Sequence, residues 1–413
     1  MLDDVKRFDM SIPPKRQIAT PLIQGYCLLD LWLGGQHLTK VNMGGIKPPY
    51  LMLCNHNAFK DFKVAMKATF PHKSNFVVAI DGYVGREWLL RQVGGICKRK
   101  YTSDITLVKH LKRATDKGRI VFLYPEARYS GDGTTTIMPN SLGKLAKLLK
   151  VPVVTLITHG HHINKPFWSD KCRFVRGTTA TMTCVATAED VKKLSTEELD
   201  KIITDAFKYD DYSWQKENNI VVNKKWRAEG LHRLLYKCPH CSKEYQTTTQ
   251  NSTLTCNACG KSWELTPLGE LKATSGKTEF ARIPDWYAWE RDMVRKELLD
   301  KSYSLDVPAR IEALPNAKRF INLGTGRLQH GLDGFNIAYT YNGKEYTFKQ
   351  APNETYTISI EYNYWHKGAC ITLNTNKDTL FIYPESVECN ITKILLATEE
   401  LYKLVMSNER NNQ

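Results

Sequence analysis

Between residues 47 and 187 the chain alternates two patterns. Short apolar runs at 50–54, 76–80, 120–124 and 152–157 read as strands, and the stretches between them read as helices. Leu142, Leu145, Ala146, Leu148 and Leu149 fall at helical spacing behind Ser141, which predicts that Ser141 caps this helix. Ser195-Thr196-Glu197-Glu198 is a capping box, and Leu199, Ile202, Ile203, Ala206 and Phe207 beyond it share one face. Strands alternating with helices predict an α/β fold, a parallel or mixed sheet flanked by helices.

The pattern changes near residue 237. Four cysteines cluster within 238–259, and Pro284-Asp285-Trp286-Tyr287-Ala288-Trp289 follows. From about 309 the chain reads β. Runs at 335–341 and 345–349 flank Asn342-Gly343, a strong hairpin signal, and further runs lie at 355–362, 369–373 and 379–383. The segment 391–406 is helical in pattern, with Ile394, Leu395, Leu401, Leu404 and Val405 apolar. Strands closed by one helix predict a small sandwich or a pleckstrin-homology-like barrel. Three units are expected: an α/β unit over 1–230, a ribbon with a Trp-rich helical connector over 231–308, and a β-rich unit over 309–413.

With 42% hydrophobic and 24% charged residues, the 413-residue chain is not disordered as a whole and is long enough for two or three domains. Its net charge of +15 is uneven: residues 331–413 hold 7 Lys+Arg against 10 Asp+Glu, so the basic excess lies before them. That excess suits phosphate-bearing substrates, an anionic membrane surface, an acidic carrier protein or nucleic acid, and does not choose among them. The most apolar N-terminal stretch, 21–33, is too short to span a bilayer and is broken by Gln24, Gly25 and Asp30. Met1-Leu2-Asp3-Asp4 lacks the basic opening of a signal peptide. The expectation is a cytoplasmic protein in peripheral contact with the inner face of the membrane. The seven cysteines outside the cluster are scattered and odd in number, which favours reduced thiols.

The chemistry concentrates in Leu51-Met52-Leu53-Cys54-Asn55-His56-Asn57-Ala58-Phe59-Lys60-Asp61. An apolar strand runs into a polar turn, and a helix-like segment begins at 59. His56 therefore sits at the carboxyl end of a strand, where open α/β sheets bind their ligands. Asp61 lies about one helical turn further on. A neutral imidazole can take a proton from an alcohol while a carboxylate fixes its tautomer and supports the imidazolium. No Gly-x-Ser-x-Gly elbow supplies a protein nucleophile, so the attacking alcohol belongs to the substrate. A second strand ends in Tyr124-Pro125-Glu126-Ala127-Arg128-Tyr129-Ser130-Gly131, which sets a carboxylate and a guanidinium in one loop. Arg128 can grip a phosphate bidentately, and Glu126 can hold a hydroxyl or orient the basic groups.

These strings resemble the glycerol-phosphate and lysophosphatidic acid acyltransferase family over about residues 20–230. Asn55-His56 through Asp61 matches its N-H-x-x-x-x-D motif, and Tyr124-Pro125-Glu126 matches the opening of its F-P-E-G-T-R motif. Val151-Pro152-Val153-Val154 resembles its V-P-[IV]-[VI] strand, and Gly94-Gly95-Ile96-Cys97-Lys98-Arg99 loosely resembles its remaining motif. Ala127-Arg128-Tyr129 departs from Gly-Thr-Arg, and Thr155 stands where the fourth motif closes on proline. The resemblance implies His56 and Asp61 as catalytic residues, with Glu126, Arg128, Lys98 and Arg99 binding substrate. It implies transfer of a fatty acyl group from acyl-coenzyme A or acyl carrier protein to 1-acyl-glycerol-3-phosphate, giving phosphatidic acid, with no catalytic cofactor. Alternatives are another lysophospholipid or glycolipid acceptor, or a non-enzymatic zinc-ribbon binding protein. Lys98, Arg99 and Lys100, with Lys109, Lys112 and Arg113, are candidates to meet an acidic carrier protein or the phosphates of coenzyme A.

Cys238, Cys241, Cys256 and Cys259 give C-x2-C-x14-C-x2-C, two knuckles able to share one tetrahedral ion, and zinc is the expected metal. Four thiolates leave no open position, so the expected role is structural, and the ribbon is not basic enough to make nucleic acid a favoured partner. Thr158-His159-Gly160-His161-His162 resembles a metal site but has no carboxylate or cysteine beside it in sequence, and is expected in a loop or pocket wall. Phe381-Ile382-Tyr383-Pro384-Glu385 echoes 122–126 by coincidence, and Trp286 and Trp289 are expected to pack at a junction.

Overall fold

In the computed structural model, residues 5–15 and 17–411 are described, with side chains through 407; Met1–Asp4 lie outside the described residues. The α/β unit is built on a seven-stranded sheet. Its strands are β1 (His37–Val41), β2 (Leu51–Cys54), β3 (Ser74–Ala79), β4 (Gly95–Lys98), β5 (Ile120–Leu123), β6 (Val153–His159) and β7 (Thr179–Ala186). The spatial order is β1-β7-β6-β2-β5-β3-β4, and every pairing is parallel except β6 with β7. The four runs read from sequence are β2, β3, β5 and β6. The expected mixed sheet is therefore present, with β1, β4 and β7 added.

β2 is central and buried on both sides, which is why it reads as an unbroken apolar run rather than an alternating one. Met52 and Cys54 face one layer, with Cys27 and Leu31 of α1 (Thr20–Leu33) and Val64 and Ala65 of α2 (Lys60–Thr69). Leu51 and Leu53 face the other, against Leu107, Leu142, Ala146 and Leu199 on three further helices. The capping box at 195–198 forms in full. Ser141 makes no capping bond with its side chain; the Gly143 amide donates instead to Asp200 Oδ1 at 2.7 Å. A partner on a neighbouring helix has displaced the local cap.

A four-stranded antiparallel ribbon covers Thr247–Gln250, Thr253–Cys256, Ser262–Leu265 and Leu271–Ala273. The helix Ile283–Leu299 clamps it: Trp286 is fully buried, its ring 4.9 Å from that of Trp263 and its indole N–H donating to the Lys237 carbonyl at 3.0 Å. The packing role expected of Trp286 is the one observed.

The C-terminal part is one seven-stranded antiparallel sheet followed by the helix Ile391–Asn411. Asn342 and Gly343 both take positive φ, 50° and 72°, at the turn joining Gly334–Tyr341 to Lys344–Gln350. That is the two-residue geometry which matches strand twist. The strands hydrogen-bond in a single ladder whose outer members, Lys344–Gln350 and Ser359–Glu361, do not pair with each other. The long strands Leu305–Leu314 and Ile321–Gly331 escaped the sequence reading, the latter because Gly324, Gly326 and Gly331 interrupt its alternation. The echo at 381–385 belongs to the strand Thr379–Pro384, with Phe381 packed in the core, and has no catalytic partners.

Candidate active site and cysteine cluster

β2 and β5 run parallel, so the polar strings that follow them emerge side by side at the carboxyl edge of the sheet. Both backbone groups of His56 are held. Its amide donates to Glu126 Oε2 at 2.9 Å, and its carbonyl accepts from the Ser130 amide at 2.9 Å. Asn55 bridges to β6 through the Thr158 amide and carbonyl, at 2.8 and 2.9 Å. The imidazole lies between Tyr124 and Tyr129, with ring centroids 4.1 and 4.3 Å away. A ring packed on both faces and anchored at its backbone has little freedom to leave its pose.

Asp61 occupies the first turn of α2, where the helix dipole favours a carboxylate. Its oxygens accept from the amides of Asn57 and Ala58 and from Thr158 Oγ1. His56 Nδ1 is 3.4 Å from Asp61 Oδ2 and lacks a hydrogen-bond partner, a loose contact of the kind that tightens when substrate binds. On its other side Asp61 meets His161 Nδ1 at 2.5 Å, and His161 Nε2 reaches Gln36 Oε1 at 3.0 Å. The missing carboxylate partner of the histidine string is thus Asp61, supplied from 100 residues away. Among the described residues the string forms no metal-binding group.

Burial first, then the charge of Lys100, lowers the pKa of His56 below the ordinary 6.5, with Asp61 opposing them. Burial works against the Asp61 charge, yet the two histidines hold its carboxyl below the usual range. His56 is therefore neutral near pH 7, as a base must be. We predict that kcat/KM for acyl transfer stays level down through pH 6.5 and falls only below it, because lowering the pKa extends the neutral form to more acid pH. An acid limb above 6.5 in a pH–rate profile would exclude His56, so placed, as the titrating base.

Glu126 is fully buried and is not among the side chains that line the cavity holding His56. Besides the His56 amide it takes the Thr136 amide at 2.7 Å and the Tyr209 hydroxyl at 3.3 Å, and burial pushes its carboxyl up to about 7. It holds the His56 loop in place. The adjoining Ala127 takes a φ of 53°, a left-handed conformation that glycine adopts more easily.

Arg128 lines the same cavity as His56, with its guanidinium paired to a carboxylate. Its Nη2 donates to Glu399 Oε1 at 2.9 Å, and Arg291 Nη2 binds the other oxygen at 2.8 Å. Burial would raise the Glu399 carboxyl, but the two guanidinium charges hold it down to about 2. Breaking a buried pair strands a charge, so Arg128→Ala should cost about 3–5 kcal/mol of stability, read as a fall in unfolding midpoint in urea. An unchanged midpoint with only acceptor KM raised would return Arg128 to phosphate binding. Arg99 is also committed: it donates to the carbonyls of Leu314 and Pro315 and to Thr379 Oγ1, each at 2.9 Å, under the C-terminal sheet. Lys98 lines the cavity but its amine donates to the Thr102 carbonyl at 2.9 Å. Lys112 pairs with Asp116 on its own helix.

The cavity before His56 measures about 1050 Å³. Its deep walls are apolar, including Phe62, Leu90, Val93, Leu107, Leu111 and Leu145. Its polar end holds His56, Asp81, Lys100, Tyr101, Tyr129 and Glu361. Lys100 Nζ donates to Ser359 Oγ at 3.0 Å, so the C-terminal sheet touches this end directly. Lys100 and His161 were read from the sequence in other settings, a basic run and a histidine string, and Glu361 was not singled out at all. The position of His161 just beyond a buried strand was a usable signal; for Glu361 there was none.

The four cysteines gather as their spacing predicts. Their sulfurs lie within 4.8 Å of one another, with Cys238–Cys259 at 3.8 Å and Cys241–Cys256 at 3.7 Å. A tetrahedron with metal–sulfur bonds of about 2.3 Å has edges of about 3.8 Å, so the donors fit one zinc ion. These separations are too long for disulfides, and all eleven cysteines are free.

Residues 35–159, which include His56, Asp61, Glu126 and Arg128, match the family model described as Acyltransferase. Among solved structures the chain is similar to the 1-acyl-sn-glycerophosphate (LPA) acyltransferase PlsC from Thermotoga maritima. The two share 16% identity over 46% of this chain and 76% of that one, with a TM-score of 0.35. Comparison with curated proteins finds no match.

Proposed function

We propose that the protein is an O-acyltransferase that moves a fatty acyl group from a thioester, on coenzyme A or acyl carrier protein, to the hydroxyl of a lysophospholipid. One observation carries the reading: a neutral histidine, backed by a buried carboxylate, stands at the polar end of a long apolar cavity. His56 Nε2 takes the proton of the acceptor hydroxyl while that oxygen attacks the thioester carbonyl. The oxygen–carbon bond forms, the carbon–sulfur bond breaks, and the imidazolium returns its proton to the leaving thiolate. The sequence resemblance favours 1-acyl-glycerol-3-phosphate as acceptor, and Lys100, a cavity cation whose charge reaches His56, is a candidate to receive its phosphate. The test is transfer of labelled acyl groups from both donors to a panel of lysophospholipids. Diacylated product with release of free thiol is expected; thiol release into water alone would remove the acceptor from the reading.

The same reading includes a structural zinc at the four thiolates, and a division into 1–230 for catalysis, 231–308 for the ribbon and connector, and 309–413 for the β-rich part. It also includes peripheral contact with an anionic membrane. No helix among the described residues is long and apolar enough to cross a bilayer. Yet α1 exposes Leu22, Tyr26, Leu29, Trp32 and Leu33, and Phe59 and Leu89 lie exposed at the cavity. An apolar rim lets an acyl chain pass from bilayer to cavity without crossing water. Wild type should float with anionic liposomes, and Leu29→Asp with Trp32→Asp should reduce the floated fraction several-fold. Wild type remaining in the soluble fraction would end this part of the proposal.

A further inference from the structure

One strand of the C-terminal sheet closes the polar end of the cavity and brings groups that the acyltransferase domain lacks. Along Ser359–Glu361 and the residues after it, three side chains face that domain. Ser359 Oγ accepts from Lys100 Nζ at 3.0 Å, and the Tyr364 hydroxyl donates to Asp81 Oδ2 at 3.1 Å. Between them the Glu361 side chain lines the cavity, and its carboxylate makes no hydrogen bond or ion pair among the described residues. Burial first, with Asp81 adding and Lys100 opposing, pushes its carboxyl up to about 7. The charges of Glu361 and Asp81 also reach the Tyr129 hydroxyl, and Tyr129 packs on His56, so both acids stand near the reacting end.

The charges there are uneven. Asp81 and Glu361 stand by Lys100, while Arg128, on the same cavity, is already paired with Glu399. A phosphate monoester, approaching two negative charges, would bring Glu361 and Asp81 into repulsion with it. A headgroup that joins a phosphodiester to an ammonium would set its phosphate on Lys100 and its ammonium on Glu361 and Asp81. Lys100 and Glu361 do not pair with each other, which leaves a gap between opposite charges for such a headgroup to bridge. Tyr101, Tyr129 and Tyr356 around the gap offer ring faces to the ammonium.

We propose that the acceptor is a zwitterionic lysophospholipid and that Glu361, supplied by the C-terminal sheet, selects it by binding its ammonium group. This rests on the acyltransferase reading above and puts a zwitterionic lysophospholipid in place of the phosphate monoester that the sequence resemblance favours. The full-length protein would be assayed in mixed micelles with lysophosphatidylethanolamine, lysophosphatidylglycerol and lysophosphatidate, each at equal mole fraction. Wild type should favour the zwitterion by about tenfold or more in kcat/KM over either anion. Glu361→Gln, which keeps the shape, should lower that ratio about tenfold, chiefly through the KM for the zwitterion. Glu361→Lys should reverse the preference toward lysophosphatidate. The ratio is independent of how much of each variant is folded. A wild type that prefers lysophosphatidate, or a ratio unmoved by Glu361→Gln, overturns this proposal and leaves acyl transfer standing. Transfer to none of the three overturns the lysophospholipid reading and this proposal with it.

Discussion

His56→Ala should lower kcat for acyl transfer by about 10³-fold while the protein stays folded. The size of the loss follows from the surroundings of the imidazole. None of the titratable groups that hold the His56 loop and its carboxylate is free to take over as base. His161 is fully buried, with one nitrogen on Asp61 and the other on Gln36. Glu126 is spent on the His56 and Thr136 amides. Asp61 is occupied by two amides, a hydroxyl and His161. The ring is 20% exposed and touches the core through Tyr124 and Tyr129, so its removal should cost little stability. Asp61→Asn should also lose about 10²–10⁴ in kcat, since the amide would no longer hold the imidazole in the tautomer with a free Nε2. Unlike His56→Ala it should also be less stable, because a buried acceptor of several hydrogen bonds is partly replaced by a donor. Single-turnover measurements at saturating donor, with circular dichroism as the folding control, separate the two effects. Full turnover by His56→Ala would refute the base assignment.

Stripping zinc with a strong chelator, or Cys256→Ser, should unfold the ribbon and with it part of the enzyme's framework. Structural zinc sites carry about 10–16 kcal/mol of apparent binding free energy, which is folding free energy here because four thiolates crowd together only in the folded ribbon. The damage should spread. Trp263 of the ribbon packs on Trp286, and both belong to one continuous core with Ile311, Ile371 and Leu395 of the C-terminal sheet and helix. That sheet sets Ser359 and Glu361 against the cavity. Loss of metal should therefore red-shift the tryptophan emission, lower the unfolding midpoint and depress activity together, without zinc taking any part in the chemistry. Elemental analysis should find about one zinc per chain. Protein purified without metal and unaltered by chelator would exclude a structural zinc.

Much of the frame was readable along the chain. Spacing within about one turn of helix dictates local geometry, so the four residues between His56 and Asp61, or the two within each cysteine pair, translate directly into proximity. The apolar run 51–54 could only be a strand buried on both faces, and Asn342-Gly343 could hardly avoid a tight hairpin. What the tertiary structure alone decided are contacts set by strand order and by docking of distant parts. Parallel strands bring β6 beside β2, and only then does His161 meet Asp61. The C-terminal helix and sheet settle on the acyltransferase domain, and only then does Glu399 claim Arg128 and the carbonyl of Leu314 claim Arg99. Arginines read as phosphate ligands thus meet partners from distant parts of the chain. A side chain's chemistry is fixed by its type, but whether it is free depends on which opposite charge folding brings within reach.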